Sequence, residues 1–211
     1  MKNIVSENSH VKRMATYNKR EYGSLKIINP RGQQGFTLIE LMITLVVAAI
    51  LIAIAAPNFT NLILNNRSDG LGEELAAALQ GTKAEAVKRG RRVSLCASNN
   101  AGTACAADWT NGWLIFVDDA VSDAAATPVV ADVLRHINDV HDDAVITATN
   151  NGANVGFVRY TSTGQLARIN GPANTAPVIF NVRVDGCVGE RQREITIGVA
   201  GMMDVDKVEC P

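Results

Sequence analysis

Histidine is scarce in this chain, with three in 211 residues: His10, His136 and His141. His141 stands next to Asp142 and His136 three residues from Asp139, neither beside a serine or cysteine, so no nucleophile–base pair is expected and the chain is not read as an enzyme. The four cysteines, at positions 96, 105, 187 and 210, include no CxxC pair, which excludes the common zinc arrangements. Acids gather at Asp118, Asp119 and Asp123 and again at Asp139, Asp142 and Asp143. Their spacing matches no EF-hand loop, so neither a metal nor any other cofactor is expected. Internal repeats and long linkers are also lacking. A general excess of positive charge is missing too: net charge is -1, and residues 1–35 hold seven Lys or Arg against two Glu. The remainder is therefore distinctly acidic, which disfavours a general binder of polyanions.

Apolar residues, by contrast, are plentiful, at 47% against 19% charged, enough for one modest core. They concentrate in Phe36–Ala56, 21 residues in which only Thr37, Glu40 and Thr44 are not apolar. About 20 such residues at roughly 1.5 Å rise cross a bilayer core. The run is too long for the apolar part of a secretory signal, typically about 7–15 residues. Lys12, Arg13, Lys19, Arg20, Lys26 and Arg31 precede it, which leaves residues 1–35 cytoplasmic and sends everything after Pro57 outward. An even number of cysteines fits that oxidising side. Glu40 needs a separate explanation, because a carboxylate inside a membrane helix costs about 2.5–3.5 kcal/mol and usually has a partner.

The run Gly35-Phe36-Thr37-Leu38-Ile39-Glu40-Leu41, followed by apolar residues and Pro57, resembles the class III signal of type IV pilins and type II secretion pseudopilins. The resemblance implies that prepilin peptidase cuts between Gly35 and Phe36 and methylates the new amine of Phe36. It implies too that Glu40 pairs with a neighbouring subunit's terminal amine during assembly, supplying the missing countercharge.

Beyond Pro57, Leu71, Leu75, Leu79, Thr82 and Ala86 recur at steps of three or four, the period of an amphipathic helix. The helix is expected to continue from the anchor, kinked at Pro57, with a bend or loosened turn around residues 65–72 where Gly70 and Gly72 weaken it. Lys88-Arg89-Gly90 reads as its C-terminus. Thereafter the period changes to two. Val93 and Leu95, then 113–117, 129–134, 145–149, 155–160, 178–184 and 195–199, are short β-branched or aromatic runs, predicting an antiparallel sheet packed on the helix. Residues 120–127 and 170–176 read as surface excursions.

Four cysteines permit three pairings. The local one is expected, Cys96–Cys105 around a short loop and Cys187–Cys210 around the C-terminal strand, each contributing about 3 kcal/mol by loop-closure entropy. Trp109 and Trp113 read as core aromatics. Together with Ala84–Gly90, Val93–Cys96 and Gly112–Asp118, they resemble the FimT/FimU branch of minor pilins, related to the H-type minor pseudopilin of type II secretion. Some FimT-type pilins are thought to bind DNA through Gly-Arg-x-Arg after the last strand, where this chain has Gly201-Met202-Met203-Asp204. Candidate phosphate contacts are Lys83, Lys88, Arg89, Arg91 and Arg92 near the helix end, with Arg191 and Arg193 further on; Glu190 and Glu194 alternate with the latter pair. DNA binding is accordingly disfavoured.

The fold implied is α+β and pilin-like: a leader over 1–35, a transmembrane and assembly helix over 36–57, its amphipathic continuation over 58–90, and a β-rich extracytoplasmic head over 91–211. The resemblance implies a FimU-like minor type IV pilin that takes part in initiating pilus assembly. It would begin in the inner membrane, surrounded by lipid with its head in the periplasm, and finish at the filament tip. Implied partners are prepilin peptidase, the inner-membrane assembly platform, the major pilin and other minor pilins. The alternatives are a DNA-binding minor pilin and an H-type pseudopilin. A chain begun at Met14 keeps Lys19, Arg20, Lys26 and Arg31. It is expected to insert and be cut after Gly35 like the full chain, which N-terminal sequencing of the mature product checks; an uncleaved product would show that residues 1–13 are needed.

Overall fold

A computed structural model describes residues 35–169, 171 and 174–211. The expected leader, apart from Gly35, lies outside the described residues, as do Met14 and residues 170, 172 and 173 of the second expected excursion. The chain divides into two compact units, Met1–Leu45 and Val46–Pro211.

The first unit holds the start of a helix, α1 (Leu38–Arg89). Thr37 caps it, because its Oγ1 accepts the Glu40 N–H at 3.3 Å and its carbonyl accepts the Leu41 N–H at 3.1 Å. Thr three residues before Glu is the capping-box spacing, which satisfies backbone donors that a helix start would otherwise leave free. Side chains from Phe36 onward in this unit are exposed, and α1 is long and apolar enough to cross a membrane.

In the second unit α1 runs without interruption through 65–72 to Arg89, so the loosened turn expected there is not found. The reason is packing. Gly72 is buried against Arg193, and a Cβ placed on it would lie 2.2 Å from Cγ of that residue. Glycine here serves close approach rather than flexibility. Leu71, Leu75, Leu79, Thr82 and Ala86 are all buried as the period predicts, and the Thr82 hydroxyl donates to the Ala78 carbonyl at 2.7 Å. Gly90 at φ 61° ends the helix; Gly90 N–H bonds to Val87 O and Arg91 N–H to Ala86 O, the Schellman arrangement.

Nine strands follow among the described residues: β1 (Val93–Ala97), β2 (Trp113–Asp118), β3 (Val130–Ile137), β4 (Ala144–Asn150), β5 (Ala153–Asn154), β6 (Phe157–Tyr160), β7 (Val178–Val184), β8 (Gln192–Ile197) and β9 (Met203–Val208). They form two antiparallel sheets rather than the single one expected, in the orders β3-β2-β1-β6 and β5-β4-β7-β8-β9. One apolar cluster joins Leu75 and Leu79 of α1 to Leu95, Ile115 and Trp113 of the first sheet and to Phe180, Val182, Ile195 and Ile197 of the second.

The two sheets differ in how they are covered. Strands β7 and β8 alternate buried and half-buried positions, as one-sided strands should. Strands β1 and β2 are buried at every position, because their second face forms a smaller cluster of Cys96, Leu114 and Phe116 beneath Cys105, Val130 and Phe157.

Gly70 and Gly72 provide an internal comparison. Nothing lies within 4 Å of a Cβ on Gly70, so Gly70→Ala is expected to stabilise the head by up to about 1 kcal/mol through helix propensity. Gly72→Ala forces the base of the Arg193 side chain aside and is expected to destabilise it by about 1–3 kcal/mol. Urea denaturation of the two variants measures both; equal stabilisation would contradict the packing assigned to Gly72.

Candidate functional site

Three groups of residues could carry function: the start of α1, the seam between α1 and the second sheet, and the end of the head at the C-terminus of α1. At the start, Gly35, Phe36 and Glu40 fall within six residues of chain, and both Phe36 and Glu40 are exposed. The Thr37 cap fixes where the helix begins, a feature signalled by the Thr-x-x-Glu spacing but not used in the sequence reading. The apolar surface that follows, Leu38 through Ile54, is exposed on every side.

The seam is polar at the end of the head nearest Asn65. The Asn65 side-chain oxygen accepts the Val188 N–H at 3.1 Å. Ser68, fully buried, donates to Arg191 O at 2.9 Å and accepts the Val184 N–H at 3.3 Å. Arg191 pairs with Asp69 at 2.8 Å, and Arg193 reaches Asp69 at 3.2 Å and Glu73 at 3.3 Å. Arg193 shares the inward face of β8 with Ile195 and Ile197 and is only 5% exposed. This corrects its reading as a phosphate contact: its side chain crosses α1 at Gly72 and is committed to helix carboxylates. Arg191, its side chain 41% exposed, pairs with Asp69 without being buried.

The basic residues at the other end are also paired. Lys88 and Arg89 share Glu85 at 3.1 and 2.6 Å. Arg89 first, then Lys88, holds the Glu85 carboxyl below its ordinary value. Arg91 pairs with Asp119 at 2.5 Å and Arg92 with Asp123 at 3.2 Å, while Lys83 donates to the Gly201 carbonyl at 2.7 Å.

Between β2 and β3, the first expected surface excursion is organised from beneath by a buried ion pair. Arg159 of β6 and Asp118 of β2 have fully buried side chains 2.7 Å apart. Arg159 also donates to the carbonyls of Asp123, Ala125 and Thr127 at 2.9, 2.8 and 3.2 Å. Asp118 accepts the Ser94 hydroxyl at 2.6 Å and the Ala120 and Val129 N–H groups at 2.9 Å each. Sequence reasoning missed this because Phe157-Val158-Arg159-Tyr160 reads as a strand with one outward charge. Arg159 instead lies 5.1 Å from the Phe157 ring centroid, on the face that the loop covers.

Other assignments follow simply. The structure joins Cys96 to Cys105 and Cys187 to Cys210. Trp109 and Trp113 are core residues; Trp109 donates to Val155 O at 3.1 Å and meets Phe180 edge-on at 5.1 Å. The His136 ring packs against Gly102 in the disulfide-closed loop. Among the described residues, no group of three or more His, Cys, Asp or Glu is placed to hold a metal ion.

An apolar helix start behind a Gly-Phe junction, running into the core of a disulfide-braced β head, is the architecture of a pilin-like subunit. Residues 71–201 match the family described as type II transport protein GspH, and residues 30–56 match the prokaryotic N-terminal methylation motif. The chain belongs to the GspH family of minor pilins and pseudopilins, structural subunits of type IV pili or type II secretion systems. Its methylation motif implies prepilin peptidase processing and assembly with other pilins from a membrane-anchored precursor. Two crystal structures of the type IV minor pilin FimU of Pseudomonas aeruginosa PAO1, in space groups P21 and P65, are similar to it. The first is 25% identical, with 68% of this chain and 87% of that one covered and a TM-score of 0.46. The second is also 25% identical, with 64% and 89% covered and a TM-score of 0.44. No curated protein matches the chain.

The Asp118–Arg159 pair predicts a pH dependence. Burial pushes the Asp118 carboxyl up, but hydrogen bonds from Ser94, Val129, Arg159 and Ala120 outweigh it and hold the group below its ordinary 3.8. A lowered folded-state value means that this stabilisation is complete above the ordinary value and is lost as pH falls through the folded one. Asp118→Asn is expected to cost about 3–5 kcal/mol near neutrality, as when a buried pair loses one member. The gap from wild type should then narrow below about pH 4. Melting curves of both proteins from pH 7 to pH 2 check this; a gap independent of pH would contradict it.

Proposed function

We propose that the chain is a minor type IV pilin of FimU type, which helps initiate pilus assembly and sits with other minor pilins at the filament tip. In this reading prepilin peptidase cuts between Gly35 and Phe36 and methylates the Phe36 amine. The mature helix waits in the inner membrane with the head in the periplasm. The observation that carries the reading is the union in one chain of the methylation motif at 30–56 with a GspH head at 71–201.

Mechanistically, extraction from lipid leaves an apolar surface that must be covered by something equally apolar. Lipid tails are as apolar as leucine, so packing and charge pairing rather than the hydrophobic effect drive association within the bilayer. The exposed Leu38–Ile54 surface supplies the packing. Glu40 supplies the charge, paired with the methylated Phe36 amine of a neighbour and so relieved of the cost of a lone carboxylate in hydrocarbon. The Thr37 cap sets the register by holding Glu40 in the first turn.

The description of the matched family, type II transport, favours a second reading as the H-type pseudopilin of a secretion system. Loss of the gene would then impair secretion and leave surface pili unchanged. DNA uptake gains no support, since Arg191 and Arg193 face helix carboxylates.

Gly35→Val is expected to block cleavage, leaving the precursor detectable by immunoblot in the membrane fraction. Glu40→Ala should be inserted and cleaved normally but reach sheared filaments about tenfold less than wild type, the cost of about 1.4 kcal/mol from a lost charge pairing. Normal incorporation of Glu40→Ala would refute the role given to Glu40.

A further inference from the structure

Each antiparallel sheet ends in two outer strands, whose outward backbone groups pair with another chain unless something prevents it. Three of the four are blunted. β3 shifts register against β2 twice, and such irregularities bend a strand away from a flat partner. β5 is two residues long. β6 is covered by the chain that follows it, through the Tyr160–Leu166 bridge and the Ala167 N–H bond to Arg159 O at 2.8 Å. β9 differs: it keeps one register with β8 from Met203 to Val208, with neither a bulge nor a proline.

Backbone groups along β9 fall into two sets. Gly198 N–H donates to Met202 O at 2.9 Å, so by alternation the groups of Asp204, Asp206 and Val208 also face β8, while those of Met203, Val205 and Lys207 face outward. Among the described residues the only bond to the outward set is local, from Val205 N–H to the Asp204 carboxylate at 3.1 Å. Side chains divide just as regularly. Met203 and Val205 share the inward face with Ile197 and Ile195, pack against the core and are half-buried. Met203 also lines an open groove of about 630 Å³ that Ala84 and Val87 of α1 line as well. Lys207 stands on the same face, exposed. On the other face Asp204 and Asp206 are exposed, and Asp206 lies directly opposite Glu194 of β8. None of these three carboxylates has an ion pair among the described residues, and like charges opposite one another across a ladder repel.

We propose that the outer edge of β9 accepts an extended segment of another protein as an added antiparallel strand, and that the segment reads, from its N-terminus, acidic-basic-apolar-basic-apolar. Register dictates the order. The residues opposite Val205 and Met203 point inward, toward half-buried apolar side chains and the groove, and are apolar; the one opposite Lys207 points the same way and is acidic. Those opposite Asp206 and Asp204 point outward and are basic, which relieves the repulsion around Glu194. In such additions main-chain bonds supply affinity and alternating side chains supply selectivity. No stretch of this chain has that order, so the donor is a different protein. The inference goes beyond the pilin reading and holds whether or not the chain enters filaments.

The probe is a fluorescent peptide with Glu-Lys-Val-Lys-Val at its centre, titrated against the full-length chain in detergent and read by anisotropy. Saturable binding with a Kd below about 1 mM is expected. N-methylation of the glutamate and the two valines removes the amides that face β9 and should weaken binding at least about tenfold, whereas N-methylation of the two lysines, whose amides face solvent, should leave it within about twofold. Val205→Pro removes no bond of the β8–β9 ladder, so it should keep the wild-type melting profile and bind about tenfold more weakly. Asp204→Lys combined with Asp206→Lys, at exposed positions, should weaken binding as much through charge. A parent peptide that does not bind, equal effects of the two methylation patterns, or wild-type affinity in the doubly substituted chain would overturn the proposal.

Discussion

A single helix in this protein has to serve two environments, and the rest of the structure follows from that constraint. Over Phe36–Ala56 all side chains but Thr37, Glu40 and Thr44 are apolar, as suits a segment that is to sit in lipid. Over Leu71–Ala86 one stripe becomes the inner wall of the head. Between these stretches Asn65, Ser68 and Asp69, with Glu73 just beyond, engage β7, β8 and the segment joining them through hydrogen bonds and ion pairs. Burying Arg193 there is tolerable because its stem lies in the space left by Gly72 and two carboxylates meet its charge.

A head built around one exposed helix needs bracing elsewhere. Two disulfides close the loop after β1 and tie down the C-terminus. The Asp118–Arg159 pair performs a similar task without covalent bonds: one buried guanidinium satisfies three loop carbonyls that would otherwise lose water without compensation. The first sheet thereby has both faces covered, one by the helix-lined core and the other by its own connections.

The parts of this architecture legible in the sequence were those set by local period. The buried stripe of Leu71, Leu75, Leu79, Thr82 and Ala86, the stop at Gly90 and most of the strands could be read from neighbouring residues. What escaped depends on contacts distant in sequence. Strand β9 reads Met-Asp-Val-Asp-Lys-Val, too polar to stand out, because it is an edge strand paired only with β8. Division into two sheets is decided by which strands find one another, and no short window records that. Arg193 read as a candidate phosphate contact until Asp69 and Glu73 were placed beside it, and nothing local to Arg159 pointed to Asp118. At the anchor the reverse holds: Gly35–Glu40 was legible as part of an N-terminal methylation motif because the motif lies in consecutive residues, and the Thr37 cap, though signalled by its spacing from Glu40, was recognised from the geometry.

The central claim is that this chain is consumed in building a type IV filament. The most direct measurement is a count of surface pili after deletion of the gene in a background unable to retract them, so that failed initiation is separated from rapid disassembly. Severe loss of pili, reversed by the wild-type gene, is the predicted result. Pili in normal number would contradict it.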